Sequence, residues 1–294
     1  MKIYSACNFF NELDLLELRL ETLDSLVDYF IICESTKTHS NLSKPLYYKN
    51  NKNRFKRFND KIIHIVIDDS PNTYQEFFTM KPKNDLHAKV IDNSKKAYWL
   101  NPISDINFIR DNYEKECMQL GLQNATSDDV IALGDLDEIA RPETLSSILS
   151  NFDVNENYLL EQGSYHFFVN LEKTNEEWVG MNVLSVGKLF GDSVGNIKAH
   201  QNILGKRIPF GGWHFSYAGG TEQVIKKLES FSHQEFNNDY YKGNADFIIH
   251  NCVNLGIDLL GRPSTWKVRD INDGTFPKYL VDNQDKFSKF ILKV

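Results

Sequence analysis

Apolar positions along this chain follow two rhythms. Residues 2–7 alternate and are apolar enough for a first strand. From Glu12 to Leu26, leucines at 13, 16, 20, 23 and 26 keep the spacing of a helix with one buried face. Tyr29-Phe30-Ile31-Ile32-Cys33 is a short unbroken apolar run between polar residues, the pattern of a strand buried on both faces. A polar loop follows through Pro45, and Ile62 to Ile67 predicts another strand, ending at Asp68-Asp69. Residues 70–103, with Pro71, Pro82 and Pro102, read as an insertion or lid. A helix is expected from Ser104 or Asp105 to Leu120, closed by Gly121. Val130 to Gly134 predicts a third buried strand, and Pro142 opens a short helix through Leu149.

The second half is less regular. Tyr158–Leu171, Val183–Phe190 and Phe210–Tyr217 predict strands. Thr221 to Phe231 predicts a helix with Thr221 as N-cap, and the last fifty or so residues are mixed. In the first half the order is strand, helix, strand, strand, helix, strand. Right-handed crossovers then build an α/β fold, a Rossmann-like, mostly parallel sheet flanked by helices. We expect one domain over 1–294, with 1–150 as a ligand-binding half and 151–294 as its complement.

Composition narrows the function classes. With 294 residues, 41% hydrophobic and 25% charged, the chain has the balance of a globular protein. A net charge of −7 argues against a nucleic-acid binder. The basic stretch Lys52 to Arg57 reads as a solvated loop or helix start, with a membrane-surface patch as runner-up. Four widely spaced cysteines contain no CxxC pair, so neither a zinc site nor a disulfide framework is expected. No signal peptide and no run of about 20 apolar residues is visible. The expectation is a cytoplasmic protein with at most peripheral contact at a membrane.

The candidate chemistry sits at strand ends. Ligands of open α/β sheets bind outside the carboxyl ends of the strands, where Glu34, Asp68, Asp135 and Asp137 are all predicted to lie. In Asp135-Leu136-Asp137-Glu138, two carboxylates on alternate residues can face one hole while Leu136 points back to the core. Such a pair suits a hard divalent cation bridging two phosphates. His214, in Gly212-Trp213-His214-Phe215, is a possible third ligand or a hydrogen-bonded core histidine.

Several ordered segments together resemble glycosyltransferase family 17. They are Val27-Asp28-Tyr29-Phe30-Ile31-Ile32-Cys33-Glu34-Ser35, Ile131-Ala132-Leu133-Gly134-Asp135-Leu136-Asp137-Glu138-Ile139, Gly212-Trp213-His214-Phe215-Ser216-Tyr217, Ser230-Phe231-Ser232-His233-Gln234-Glu235 and Phe276-Pro277-Lys278-Tyr279-Leu280. The resemblance implies a GT-A-like fold, Mn2+ or Mg2+, and a UDP-sugar donor, most naturally UDP-N-acetylglucosamine. It also implies inverting transfer to a glycan acceptor: a polysaccharide, a lipopolysaccharide or a glycoprotein glycan. By the same resemblance Asp135 and Asp137 hold the metal, with His214 beside them, and Glu34 meets the nucleotide. Arg110, Lys226, Lys227 and Arg207 are candidates to neutralise phosphate charge. Glu161 and Glu138, then Asp192, are the candidate general bases. Trp213 and Tyr165 are candidate stacking residues, with core packing as the alternative. Two departures stand out: Ile106 and Ile109 replace a carboxylate and a glutamine expected before Arg110, and residues 74–101 lack a counterpart. The rival readings are a metal-dependent nucleotidyltransferase or phosphohydrolase, and a non-catalytic carbohydrate-binding protein of the same fold.

Overall fold

The computed structural model describes residues 1–97, 105–199 and 205–293. Its strands are β1 (Ile3–Phe9), β2 (Tyr29–Ser35), β3 (Ile62–Ile67), β4 (Val130–Leu133), β5 (Glu138–Ala140), β6 (Tyr158–His166), β7 (Leu171–Lys173), β8 (Trp178–Ser185), β9 (Lys206–Ser216) and β10 (Trp266–Val268). They join one sheet in the order β10-β7-β6-β8-β4-β1-β2-β3, with β9 against β6 and β5. The β3-β2-β1-β4 part is parallel throughout, as expected of a Rossmann-like half. Beyond β4 the sheet is mixed rather than mostly parallel: β8 runs antiparallel to both β4 and β6, whereas β9 is parallel to β6.

The buried runs of the sequence explain the layering. Along β1, β2 and β4, alternate side chains enter two separate cores. Cys7, Phe30, Ile32, Val130 and Ala132 pack with the helix Leu13–Leu23 on one face. Ala6, Ile31, Cys33, Ile131 and Leu133 pack with the helix Ile106–Glu116 on the other. All four cysteines are buried free thiols. The basic cluster at 52–57 is absorbed in part by the first helix, where Arg54 meets Asp14 and Glu17, and Arg57 meets Glu21 and Asp24.

Several boundaries differ from the sequence pattern. The 70–103 segment holds two helices, Tyr74–Thr79 capped by Thr73 and Asp85–Ser94 capped by Asn84. Their Phe77, Val90 and Ile91 are core residues, so up to residue 97 this segment is packed structure. Residues 98–103 of the expected lid, and Ser104 as a helix start, lie outside the described residues. Asp105 caps the following helix through its side chain. The expected strand Val183–Phe190 ends at Ser185, whose hydroxyl accepts from the Lys188 N–H and starts a helix over Val186–Gly191. Thr221 is the first helical residue rather than the cap, a place taken by Gly220 at φ 83°. The mixed tail contains a long helix, Asp239–Leu255, capped by Asn238 and closed by Gly256 in the left-handed region. Among the described residues no helix is long and apolar enough to cross a membrane.

Candidate functional site

Gly134 leads from β4 into the turn Asp135-Leu136-Asp137, and β5 starts at Glu138. Leu136 is buried in the core, as its position between the two aspartates predicts. Arg19, from the first helix, reaches the turn from below. Its guanidinium donates to the carbonyls of Asp135 (2.8 Å) and Glu138 (2.6 Å) and to the Ser5 hydroxyl. These bonds satisfy turn carbonyls that would otherwise be buried without a donor.

Glu138 pins the turn from the other side. One carboxylate oxygen accepts from the Asp135 N–H (2.7 Å) and from Lys198 (3.1 Å), and the other from the Trp178 indole (3.2 Å). Burial raises its pKa while Lys198 opposes the rise. Gly180 makes room for it: a Cβ there would come within 2.6 Å of the Glu138 carboxyl carbon.

β5 pairs with β9 so that Glu138 stands opposite His214, and the Phe215 N–H donates to the Asp137 carbonyl (2.9 Å). That register brings His214 Nε2 to 3.9 Å from Asp137 Oδ2. The imidazole stacks on Trp178, centroids 4.0 Å apart. Burial pushes its pKa down to about 4 against the pull of Asp137, so the ring is neutral at physiological pH, and its buried Nδ1 has no hydrogen-bond partner among the described residues. Each aspartate has a lysine: Lys198 lies 2.9 Å from Asp135 and Lys227 3.1 Å from Asp137. Burial works against ionisation of Asp137, but Lys227 and His214 hold its pKa below the usual carboxylate value.

The turn opens on a cavity of about 230 Å³, lined by Asp135, Leu136 and Lys227 and by the end of β1 at Asn8-Phe9 with Phe10. The opposite wall comes from Thr38 and His39 in the loop after β2, and from Asp111, Glu114 and Lys115 on the helix Ile106–Glu116. His39 lies 3.3 Å from Glu114 and 3.7 Å from Asp111, and Lys115 3.0 Å from Asp111.

Metal chemistry is constrained by this donor set. Among the described residues no group of three His, Cys, Asp or Glu side chains is placed to hold an ion. Asp137 and the neutral His214 do form a donor pair, with Asp135 two residues away and 38% exposed. A hard cation commonly takes one or two protein carboxylates and completes its shell with substrate phosphates and water. The residues fit that partial arrangement and do not form a closed protein cage.

Of the sequence candidates, Asp135, Asp137, Glu138, His214 and Lys227 come together. The others do not join them. Glu34 is fully buried, its carboxylate occupied by the Tyr48 and Lys49 N–H groups and by His64 at 3.0 Å, and it does not line the cavity. Arg110 is buried and spends its donors on the carbonyls of Pro71, His39 and Asn72 and on Asn107. Lys226 points outward, and Lys227, the other lysine of that pair, faces the turn. Glu161 is half-buried on β6, 3.4 Å from Arg207, away from the cavity wall. Asp192 accepts from the Ser193 N–H and the Asn196 side-chain amide, and it does not line the cavity. Glu138 itself is only 1% exposed, which leaves no open face for an acceptor hydroxyl. Trp213 and Tyr165 are core residues. The sequence reading missed Arg19, Lys198, Trp178 and the His39–Glu114 pair. A buried arginine in an otherwise apolar helix face was the one available signal.

The family model for glycosyltransferase family 17 matches residues 1–96, which hold β1 to β3. β-1,4-Mannosyl-glycoprotein 4-β-N-acetylglucosaminyltransferase of Homo sapiens is 23% identical over 313 residues, covering 97% of this chain and 54% of that protein. The Rattus norvegicus protein of the same name is 22% identical with the same coverage. The chain thus spans about half the length of these curated relatives. Among solved structures, that of S. aureus TarS 1–349 aligns over 86% of this chain and 72% of its own, at TM-score 0.37 and 9% identity. The chain is therefore similar to glycosyltransferase family 17 over its first third, and over nearly all of its length to about half of each of the two N-acetylglucosaminyltransferases.

Proposed function

We propose that the chain is a glycosyltransferase that moves N-acetylglucosamine from UDP-N-acetylglucosamine to a glycan, with inversion, using Mn2+ or Mg2+. The observation that carries this reading is the Asp135-Leu136-Asp137 turn at the carboxyl end of a parallel strand, whose Asp135 and Leu136 line a cavity with Lys227 and Lys115 on its walls. The names of the relatives support the sugar and the class of acceptor.

In this reading Asp137 and His214 would hold the cation, with Asp135 beside them, and the cation would supply positive charge to offset that of the diphosphate. The protein's own part is positioning. Arg19 and Glu138 fix the turn so that its carboxylates need no rearrangement on donor binding. Lys227, beside Asp137, brings a permanent positive charge to the phosphate end of the cavity. Trp178 holds the His214 ring in its plane, and burial keeps that ring neutral and available as a ligand.

A donor screen by nucleoside diphosphate release tests the reading. UDP-N-acetylglucosamine is expected to be the fastest donor in Mn2+. Release from a non-uridine donor alone, or from none with any glycan acceptor, would refute it.

A further inference from the structure

Of the expected general bases, Glu138 is enclosed, Glu161 alternates onto the other face of β6 from Ser164, and Asp192 is bound to Ser193 and Asn196. A different carboxylate stands over the sheet face that carries His214. In the register of β5, β9 and β6, Glu138 lies opposite His214 and His214 opposite Ser164, so the three share one face. His166, two residues further along β6, shares it as well. Glu176, in the segment between β7 and β8, reaches both residues of β6. Its Oε2 accepts from the Ser164 hydroxyl and from His166 Nε2 at 2.8 Å, and its Oε1 accepts from the Lys173 ammonium at 3.2 Å.

This group is anchored inside and ends outside. Ser164, His166 and Lys173 are buried, and the Lys173 ammonium also meets Asp258 at 3.0 Å. Glu176 is 19% exposed. A carboxylate offers about four acceptor positions. Ser164, His166 and Lys173 fill three of them, which leaves one open on Oε1. Burial works against ionisation of Glu176, but His166 and Ser164 outweigh it and keep the carboxyl charged. Half-buried aromatic rings stand nearby. Trp178 stacks on His214, and Tyr217 and Trp266 lie 6.1 and 5.8 Å from the His166 ring. Such faces suit the apolar side of a sugar ring. From the cavity, contacts run through Lys227, Asp137, His214 and His166 to Glu176, which does not itself line the cavity. Inverting displacement at a sugar calls for such a separation, because the base acts on the face opposite the leaving group.

We propose that Glu176 is the catalytic base for the acceptor hydroxyl, with His166 and Ser164 as its positioning residues. This role rests on the transferase reading of the acidic turn. As the acceptor oxygen bonds to the anomeric carbon, the bond from that carbon to the diphosphate breaks, and its electron pair leaves on the diphosphate oxygen. The acceptor's proton passes to Glu176, and from there to water at the exposed edge of the carboxyl. A hydroxyl becomes strongly acidic as its oxygen gains a bond to carbon, so an ionised carboxylate takes its proton.

The test compares Glu176→Gln, Glu176→Asp and the control Glu177→Gln in the full chain. Each is measured for transfer from UDP-N-acetylglucosamine in Mn2+, for UDP affinity and for melting temperature. Polysaccharide, lipopolysaccharide and glycoprotein acceptors are offered in turn. Glu176→Gln is expected to lower kcat by about 100-fold or more, with UDP affinity held within about twofold. Glu176→Asp keeps the charge that His166 and Lys173 meet, so it serves even where the amide impairs folding. It should still lose about tenfold or more in kcat, because its carboxylate retreats by one methylene. Glu177, an exposed neighbour paired with Arg207, should tolerate the same amide change within about twofold. A merely structural Glu176 would lower UDP affinity and melting temperature along with kcat, and would spare kcat in Glu176→Asp. That pattern, a folded Glu176 variant with kcat within about threefold of the wild type, or an equal loss in Glu177→Gln overturns the assignment and leaves the transferase reading standing. Absence of transfer by the wild type itself overturns both.

Discussion

At the scale of single residues, the site is a set of charges matched in pairs. Two aspartates face two lysines, and a neutral histidine stands next to one of them. Which lysine matters follows from helix geometry. Lys226 and Lys227 are neighbours in sequence, but successive helical residues point about 100° apart, so only one can face the turn. If Lys227 supplies charge to the donor phosphates, Lys227→Ala should lower kcat/KM by roughly 10- to 100-fold, as expected for a lost charge-assisted bond. Lys226→Ala should stay within about twofold. UDP-release kinetics decide this, and equal effects of the two variants would remove Lys227 from the site. The acidic turn was legible in the sequence because an unbroken apolar run delivers it to a strand end. Its supports were not. Arg19 lies 116 residues from Asp135 in the chain, and Lys198 lies 63 residues beyond it on the other side, separations that no local pattern encodes. Glu34 misled for a related reason. Its position at the end of β2 was read correctly, but its partners, the Tyr48 N–H and His64, become visible only when the loop folds back.

At the scale of elements, the site depends on the sheet changing character at β4. The parallel half brings Asn8 and Asp135 to one edge, and the antiparallel β8 supplies Trp178 and Gly180 beneath the turn. Gly180 has no Cβ because the Glu138 carboxyl, the Gln162 amide and the Trp178 indole fill its place. Gly180→Ala should cost about 1–3 kcal/mol of stability through overpacking. It should also weaken donor use, because it displaces Glu138. A denaturation midpoint matching the wild type would show that the packing beneath the turn can yield. The loop after β2 is tied to the helix Ile106–Glu116 through His39. Burial would depress the imidazole pKa, but Asp111 and Glu114 outweigh it and Lys115, and the net shift is upward. A raised folded-state pKa gives stability that is full below the unfolded value of about 6.5 and fades as pH rises through the folded value. The wild type should therefore exceed His39→Gln in melting temperature by more at pH 5.5 than at pH 9. A gap independent of pH would exclude the protonated tie. The buried parallel strands were legible because runs such as Phe30-Ile31-Ile32-Cys33 fit little else. The helix Asp239–Leu255 was not, because its apolar residues include exposed Tyr240 and Phe247, which blur the periodicity.

At the scale of the whole molecule, one sheet carries both halves of the chain. The cavity forms where five segments distant in sequence meet: the end of β1, the loop after β2, the helix Ile106–Glu116, the Asp135 turn and the end of the helix Thr221–Ser230. In the proposed mechanism Asp137 and His214, with Asp135 beside them, would hold a cation that offsets the charge of the donor diphosphate. The most direct measurement is turnover of UDP-N-acetylglucosamine by the wild type and by Asp137→Ala, with Mn2+, with EDTA, and with Mn2+ restored. EDTA is expected to abolish turnover and Mn2+ to restore it, and the Asp137→Ala protein is expected to melt as a folded chain yet transfer nothing. Full activity in EDTA, or in Asp137→Ala, would contradict that mechanism.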